Sequence, residues 1–407
     1  MAQDNTQPRQ PRIRAALSID SIRSGVVQAG ADGAQHYECV RYSPGIVDEW
    51  NRFVDHCDEA WLYHRSAFVV PNERGWEDKS FALTRNGEIV AICAVAVERK
   101  WLGRILVGPG PAVASGPDAE KARRLVLALT EEIAQQTGCL SVRISRSSLA
   151  PRFLNARYIN SDLAEQGYSH GYRGDALDLE VGAWAIADLR RTPEEILKSF
   201  KHGNDRRVKK CERLEIKVVA YGGPTLTEKA WSEFESNLDE TVVRTGIEKF
   251  PRAHLDRLRS QVENGFALLF SAYEKQECVA SVLCQYFKSG AYYQNGGCCE
   301  RGLALGAMAH VFYTAMIEFK NRGIEYFNVG AYIPCHKGTK SGTISEFKRG
   351  LGNLMWDILN CEKILDRKRY WRRILVVGAI RLQVVDWALF GWARSAVKAV
   401  AAVLHRR

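Results

Sequence analysis

Several residues between Tyr292 and Gly352 have types and spacing that suit the binding of phosphate or of an oxyanion. A predicted strand contains Tyr293 and Asn295 and ends at two glycines, and a later motif contains Lys348. A strand that stops at glycines just before a helix leaves free backbone N–H groups at the helix N-terminus, where phosphate or an oxyanion can bind. The order of residue types therefore predicts an anion-binding site in this part of the chain.

A glycine-containing turn follows this predicted strand. The segment Arg301–Ala307 has the form R-x-x-A-x-G-A, with Gly302 and Gly306 as its glycines. It is similar to the R/Q-x-x-G-x-G/A loop of the GNAT acyltransferases, whose backbone amides wrap the diphosphate of coenzyme A, except that Ala304 occupies a normally glycine position. Two interpretations stay open: a phosphate-binding loop formed by Arg301, Gly302 and Gly306, or a turn in which glycines serve only packing.

A run of cations lies near the middle of the chain. A capping box that begins at Thr192 predicts a helix, and basic residues gather at the far end of this helix, up to Arg213. They form either an ordinary exposed helix face or a phosphate clamp, since a planar guanidinium presents paired donors to phosphate oxygens. We assign Lys201, Arg206 and Arg207 to the phosphate of a donor or an acceptor substrate.

Composition limits the class of protein. The chain has 407 residues, 46% of them hydrophobic and 26% charged, which predicts a globular protein with two domains. Its net charge of +10 favours an anionic partner: a phosphorylated substrate, a nucleic acid or the inner surface of a membrane. The eleven cysteines are scattered without a C-x-x-C pair, which argues against a zinc site or a disulfide framework and fits the cytoplasm. The polar start of the chain predicts no secretory signal.

The order of predicted elements occurs twice, about 190 residues apart. Each copy contains a hairpin, a third strand, a glycine-rich turn, a helix that ends at glycine, and another strand. The first copy has its hairpin at Asn86-Gly87, its turn at 108–111 and its helix at 118–136. This repetition predicts an α/β fold, of the α+β type, built from two duplicated units with mixed sheets and a cleft between them.

We divide the chain accordingly into four parts. Residues 1–35 are a polar tail without a core. Residues 36–185 and 186–362 are the two units, and residues 363–407 form a basic, tryptophan-containing helical segment. The charges of that last segment come too often for it to span a bilayer. It lies either on an anionic membrane surface or against the folded body or a second subunit.

The motifs taken together resemble the FemAB-like family of aminoacyl- and acyltransferases. The resemblance follows the order of elements over about 37–360. It depends most on Phe200-Lys201 with the following R-R-x-K-K, on Arg301–Ala307, and on an F-K-x-G-x-G motif that contains Phe347 and Lys348. This last motif is predicted to lie in a loop, residues 344–352. It implies two GNAT-like halves and, as in the best-known members, transfer of an amino acid from aminoacyl-tRNA to the peptide of a peptidoglycan precursor. No heptad run matches the coiled-coil arm of some members.

The resemblance implies an acyltransferase without a tightly bound cofactor or metal, located in the cytoplasm or on the inner membrane face. Transfer to an amine requires a deprotonated amine and a stabilised oxyanion, and such enzymes rely mainly on positioning. We assign Lys348 to a phosphate or to the developing charge, Tyr293 and Asn295 to the acceptor pocket, and Phe347 to substrate binding. Aminoacyl-tRNA and acyl-coenzyme A stay open as donors, and so do peptidoglycan peptide and an amino sugar of a surface polysaccharide as acceptors. The alternative to an enzyme is a non-catalytic module that binds nucleic acid or lipid phosphates.

Overall fold

The computed structural model describes residues 37–69, 75–100, 102–154, 161–171, 182–332 and 340–381. The predicted tail, residues 1–35, lies outside the described residues, as do residues 382–407 of the predicted C-terminal segment. Fifteen strands and eleven helices are found in the described part of the chain.

The elements are numbered in chain order. The strands are β1 (Tyr37–Arg41), β2 (Glu77–Asp78), β3 (Phe81–Arg85), β4 (Glu88–Lys100), β5 (Gly103–Val113), β6 (Cys139–Arg146), β7 (Ser169–His170), β8 (Ala183–Asp188), β9 (Lys217–Tyr221), β10 (Ala267–Glu274), β11 (Glu277–Phe287), β12 (Gly290–Cys298), β13 (Tyr326–Tyr332), β14 (Leu354–Asp357) and β15 (Leu359–Ile364). The helices are α1 (Val47–His56), α2 (Ala119–Gln136), α3 (Ser161–Glu165), α4 (Pro193–Ser199), α5 (Asn204–Arg213), α6 (Glu228–Thr245), α7 (Arg252–Glu263), α8 (Glu300–Leu305), α9 (Ala307–Asn321), α10 (Lys340–Arg349) and α11 (Arg367–Arg381).

The first sheet has eight strands in the order β1-β3-β4-β5-β6-β15-β7, with β2 paired to β4. Strands β5 and β6 run parallel, and the other strand pairs run antiparallel. The predicted hairpin is confirmed: Asn86 and Gly87 connect β3 to β4 with φ of 53° and 84°, as a two-residue turn with positive φ at both positions requires. Helix α2 covers this sheet and buries Val126, Leu129 and Ile133.

The second sheet has seven strands in the order β14-β8-β13-β12-β11-β10-β9. Here β12 and β13 are the parallel pair. Helices cover both faces: α5, α8 and α9 pack on one face around Phe312 and Phe319, and α6 and α7 pack on the other around Trp231 and Phe234. The series β10, β11, β12, α9, β13 repeats β3, β4, β5, α2, β6, so the predicted duplication of a mixed α/β unit is confirmed.

The chain passes between the sheets and returns. Strand β8, which contains the predicted boundary between residues 185 and 186, belongs to the second sheet, where it pairs with β13 and β14. Strand β15, in which the predicted second unit ends, pairs with β6 of the first sheet over Leu359–Ile364. Buried backbone N–H and C=O groups need partners, and β6 supplies them. The first sheet is therefore not formed from one continuous stretch of chain.

An interface rich in aromatic residues joins the two units. The rings of Trp61 and Phe287 meet edge to face with their centres 5.8 Å apart. Tyr63 donates a hydrogen bond to Gln285 Oε1 at 2.8 Å, and Lys288 Nζ donates to the carbonyl oxygens of the first unit at residues 57 and 60, at 2.5 and 3.2 Å. Side chains of both units thus share one packed boundary.

The predicted basic helix is interrupted and forms α4 and α5. The capping box is confirmed: Thr192 Oγ1 accepts a hydrogen bond from the Glu195 N–H at 3.3 Å, and Glu195 Oε2 accepts one from the Thr192 N–H at 2.9 Å. Helix α4 ends after Ser199 because Phe200 has extended backbone, with φ of −67° and ψ of 135°. His202 and Gly203 then have left-handed backbone, with φ of 58° and 74°, before α5 begins. The cations after this break therefore lie on a separate short helix.

Two predicted irregular segments are regular. The turn predicted at 108–111 is wrong, since β5 continues to Val113 and the glycines and prolines fall where its register against β4 shifts. Proline and glycine are tolerated at such irregular positions in a sheet. The loop predicted around the F-K-x-G-x-G motif is also wrong, because Phe347 and Lys348 lie in the last turn of α10 and the glycines follow the helix end.

Candidate active site at the divergence of two strands

The parallel strands β12 and β13 diverge in the middle of the second sheet. They pair only from Gly290 to Tyr292 on one strand and from Tyr326 to Asn328 on the other. Beyond this point β12 continues its pairing with β11, and β13 continues with β8. A gap therefore opens between the two strands, next to Tyr293 of β12.

The Lys348 side chain lies in this gap. Its Nζ is 5.3 Å from the centre of the Tyr293 ring. It also packs against the backbone of β13, because a Cβ at Gly330 would come within 2.8 Å of Nζ and 3.0 Å of Cδ. Gly330 has a φ of 123°, which glycine adopts much more readily than other residues. The lysine thus bridges the two strands where they separate.

The electrostatic setting of Lys348 favours an anionic ligand. Burial lowers the pKa of the Lys348 ammonium, and within the described residues no carboxylate pairs with it. The Tyr293 ring face stabilises the cation, and burial raises the pKa of Tyr293, so its phenol stays neutral. An ammonium held in this way can stabilise negative charge on a phosphate or on the oxygen of a reacting carbonyl.

Phe347, predicted as a substrate-binding residue, points into the apolar core next to Lys348. Its ring meets Phe312 of α9 edge to face at 6.0 Å, and Phe312 meets Tyr293 at 4.9 Å. These three rings fix the last turn of α10 against β12. The structure therefore gives Phe347 a packing contact that holds Lys348 in place.

Tyr293 and Asn295, which the sequence places in one acceptor pocket, lie on opposite faces of the sheet. Tyr293 pairs with Cys284 and Asn295 with Leu283, so Gln294 is an extra residue at a bulge. Cys284 packs on the α9 face and Leu283 on the α6–α7 face, and directly paired side chains share a face. The bulge thus separates two side chains that simple alternation would keep together.

The bulge adds polar groups that the sequence pattern does not identify. Gln294 is the extra residue of the bulge and has no Cα partner on β11. Asn295 is 8% exposed, and its Oδ1 has no hydrogen-bond partner among the described residues. The alternation of side chains along β12 does not predict the extra residue Gln294 or the buried Asn295, because the bulge depends on the register of β12 with β11.

The predicted phosphate loop is held by structural contacts at its start. Arg301 forms an ion pair with Glu274, in which Nε donates to Oε2 at 2.6 Å. A Cβ at Gly302 would lie 2.0 Å from the carbonyl oxygen of Val279, so this glycine allows close packing on β11. The Gly302 N–H donates to Cys299 Sγ at 3.4 Å, which caps the start of α8.

Helix α5 covers the end of the same loop. Gly306 separates α8 from α9 with a φ of 75°, and a Cβ there would come within 2.8 Å of Arg207 Cγ. Lys210 Nζ donates to the Ala304 carbonyl oxygen at 3.1 Å. The structure brings Arg207 and Gly306 together, while Arg301 is engaged elsewhere, by Glu274.

The other predicted phosphate ligands lie on an exposed basic surface. The Lys201 N–H donates to the Gly350 carbonyl oxygen at 2.7 Å, which ties the break before α5 to the end of α10. The side chains of Lys201 and Arg206 are exposed, and Arg206 borders an open depression with Lys209, Glu212 and Arg213. Helix α5 thus places several cations beside the helix that carries Lys348.

The corresponding point in the first unit is closed. Strands β5 and β6 pair as far as Gly108 and Ile144 and then separate. A Cβ at Gly110 would come within 2.5 Å of Ile144 Cγ2, so an aliphatic side chain packs where Lys348 lies in the second unit. Within the described residues, no group of three or more His, Cys, Asp or Glu side chains could hold a metal ion. Because an aliphatic side chain fills this position in the first unit and Lys348 fills it in the second, the second unit is the better candidate for catalysis.

Comparison with known proteins supports the architecture. No protein-family model matches the chain, and no curated protein matches it. Among solved structures, FemX superimposes with a TM-score of 0.64 at 15% identity, over 82% of this chain and 99% of FemX. L-PGS from Bacillus licheniformis gives a TM-score of 0.47 at 15% identity, over 74% of this chain and 88% of that protein. A tandem GNAT protein from the clavulanic acid biosynthesis pathway gives 0.47 at 14% identity, over 81% and 98%. The chain therefore has the fold of FemX, which confirms the FemAB-like fold expected from its motifs.

Proposed function

We propose that the chain is an acyltransferase that forms an amide bond on an amine of a phosphorylated cell-envelope precursor. The observation that carries the proposal is the Lys348 ammonium, held between β12 and β13 without a counter-charge in the described residues. Attack of an amine on an acyl carbonyl places negative charge on the carbonyl oxygen, and a preorganised cation stabilises that charge. The FemX fold and the motif resemblance support the same reaction class.

In the proposed reaction the neutral amine nitrogen attacks the acyl carbon of the donor. The oxyanion of the tetrahedral intermediate lies against the Lys348 ammonium. When the intermediate collapses, the bond from the acyl carbon to the donor oxygen breaks, and the proton lost by the amine passes to that oxygen. The neutral phenol of Tyr293 supports the ammonium and takes no proton.

We propose aminoacyl-tRNA as the donor. Helix α5 lies on the turn at which the diphosphate of coenzyme A would have to bind, with Arg207 against Gly306 and Lys210 on the Ala304 carbonyl. The exposed cations of α5 suit a polyanion, since phosphate contacts from Lys and Arg supply much of the affinity for nucleic acids. The acceptor is proposed to be the peptide of a peptidoglycan precursor, and the cytoplasm is the proposed location.

Donor binding and product formation test this proposal together. Calorimetry would compare aminoacyl-tRNA, uncharged tRNA and acetyl-coenzyme A, and a second assay would follow transfer of a labelled amino acid to a nucleotide-linked peptidoglycan peptide. We expect charged tRNA to bind and the label to reach the acceptor amine. Amide formation from acetyl-coenzyme A, for example on an amino sugar, would contradict aminoacyl-tRNA as the donor and favour an acyl-coenzyme A-dependent transferase. Salt-dependent RNA binding without acyl transfer from any donor would contradict the proposed enzymatic activity and favour a non-catalytic binding module.

A further inference from the structure

The helix α11 has one buried and one exposed face. Tyr370 and Ile374, four residues apart, are 1% and 0% exposed. Trp371 and Leu375, also four apart, are 38% and 59% exposed. Residues at this spacing lie on the same side of a helix, so two large apolar side chains face away from the body of the protein.

The buried face fixes α11 to the first sheet. Tyr370 and Ile374 pack on Leu140 at the start of β6. The Tyr370 hydroxyl donates to Glu362 Oε2 at 2.7 Å, and Glu362 Oε1 accepts from Arg143 Nε at 2.9 Å. The sequence left open whether the C-terminal segment packs against the folded body or lies on a membrane. This face of α11 packs against the folded body. The exposed face remains to be explained.

The exposed face is strongly basic. Arg367, Lys368 and Arg372 are exposed, and no acidic side chain of the described residues pairs with them. Arg369 in the same turn lies 4.0 Å from Asp366. Unpaired cations beside exposed tryptophan and leucine form a surface that is both cationic and apolar.

We propose that this face of α11 lies on the anionic surface of a lipid bilayer. Tryptophan is favoured at the level of the lipid headgroups, leucine adds apolar area to bury, and each cation gains from anionic lipid. The helix would rest parallel to the surface, held to the protein by Tyr370 and Ile374. In the described part of the chain no helix combines the length and apolar character needed to cross a bilayer.

The chemistry of the face favours lipid over other occupants. Nucleic acid would use the cations and could stack on Trp371, but it offers no apolar layer for Leu375, which is the more exposed of the two. A second copy docked through the same face would bring like charges together, which opposes association. The inference does not depend on the proposed acyl transfer.

Sedimentation with vesicles of phosphatidylcholine and phosphatidylglycerol tests the proposal on the full chain. One variant carries Arg367→Gln, Lys368→Gln and Arg372→Gln, and a matched control carries Arg206→Gln, Lys209→Gln and Arg213→Gln on α5. We expect the α11 variant to lose affinity by roughly fivefold per charge, or about 100-fold in total. The α5 control should bind like the original chain. A Trp371→Ala, Leu375→Ala variant should also bind more weakly, with unchanged thermal unfolding because both side chains are exposed.

Three results would overturn the proposal. The first is equal binding of the α11 variant and the original chain. The second is equally strong binding to pure phosphatidylcholine vesicles, which would remove the role of charge. The third is RNA binding that falls in the α11 variant while vesicle binding does not, which would assign the face to nucleic acid.

Discussion

Replacement of Lys348 by methionine removes the positive charge from the gap between β12 and β13 and keeps an unbranched side chain. The ammonium lies 5.3 Å from the Tyr293 ring centre and against Gly330, so it is fixed before the substrate binds. Loss of one preorganised donor to an oxyanion lowers turnover by about 10²–10³-fold, or roughly 3–4 kcal/mol of transition-state stabilisation. We expect Lys348→Met to show a loss of this size.

The same substitution should not weaken the fold. Burial lowers the pKa of Lys348, which means that the site disfavours the charged form. A methionine at this position removes that cost, so the free energy of unfolding should stay the same or rise. A loss of turnover together with an unchanged or higher unfolding midpoint in urea would separate a chemical role from a structural one.

Single-turnover transfer from saturating aminoacyl-tRNA is the measurement, because it isolates the chemical step from donor binding. Lys229→Met is the matched control, since Lys229 is an exposed lysine of α6 whose side chain is 73% exposed. The control should transfer at the rate of the original chain. Transfer by Lys348→Met within twofold of the original rate would refute the role of this ammonium.

A second substitution displaces Lys348 without removing it. A Cβ at Gly330 would fall 2.8 Å from Nζ, so Gly330→Ala should push the flexible lysine out of the gap and lower turnover at least tenfold. Gly323→Ala is the control, because Gly323 also has a positive φ, 81°, but nothing lies within 4 Å of a Cβ there. Both variants should lose about 1 kcal/mol of stability from backbone strain, and equal turnover in the two would contradict the positioning argument.

Three further predictions concern stability. Burial lowers the pKa of His64 to about 4 from the unfolded value near 6.5, so the unfolded chain binds more protons between these pH values. The free energy of unfolding should therefore fall by about 3 kcal/mol from pH 6.5 to pH 4. Urea unfolding of the original chain and of His64→Gln at both pH values measures this, and an equal decrease in the two would contradict it. Arg123→Leu removes the two hydrogen bonds, at 2.6 and 2.9 Å, that Arg123 donates to the buried Glu59 carboxylate, which keeps its ion pair with Arg152 at 2.9 Å. The substitution should cost roughly 2 kcal/mol in urea unfolding, and no change would show that these two bonds add nothing. Gly302→Ala places a Cβ 2.0 Å from the Val279 carbonyl oxygen, so it should lower the free energy of unfolding by at least about 2 kcal/mol. The affinity for tRNA, measured by calorimetry, should not change. A loss of affinity at unchanged stability would show that this glycine belongs to the binding site.

The sequence by itself determined the features that depend on neighbouring residues. Asn86-Gly87 predicted a hairpin, and the capping box at Thr192 predicted the start of α4; the structure contains both. The repeated order of elements predicted two mixed sheets, which the structure contains. The assignment of Lys348 to the site stays a prediction. Turn chemistry, capping and periodicity act within a few residues, so they can be recognised without the tertiary structure.

Only the tertiary structure decided which residues meet. It placed β15 in the first sheet, put Tyr293 and Asn295 on opposite faces through the bulge at Gln294, and laid α5 over Gly306. It also showed that Lys348, which the sequence placed in a loop, lies in the last turn of α10 and packs against Gly330. Each of these outcomes depends on strand register or on helix packing between residues far apart in the chain. A shift of one residue in register reverses the face of every side chain, and local patterns do not encode the partner that sets the register.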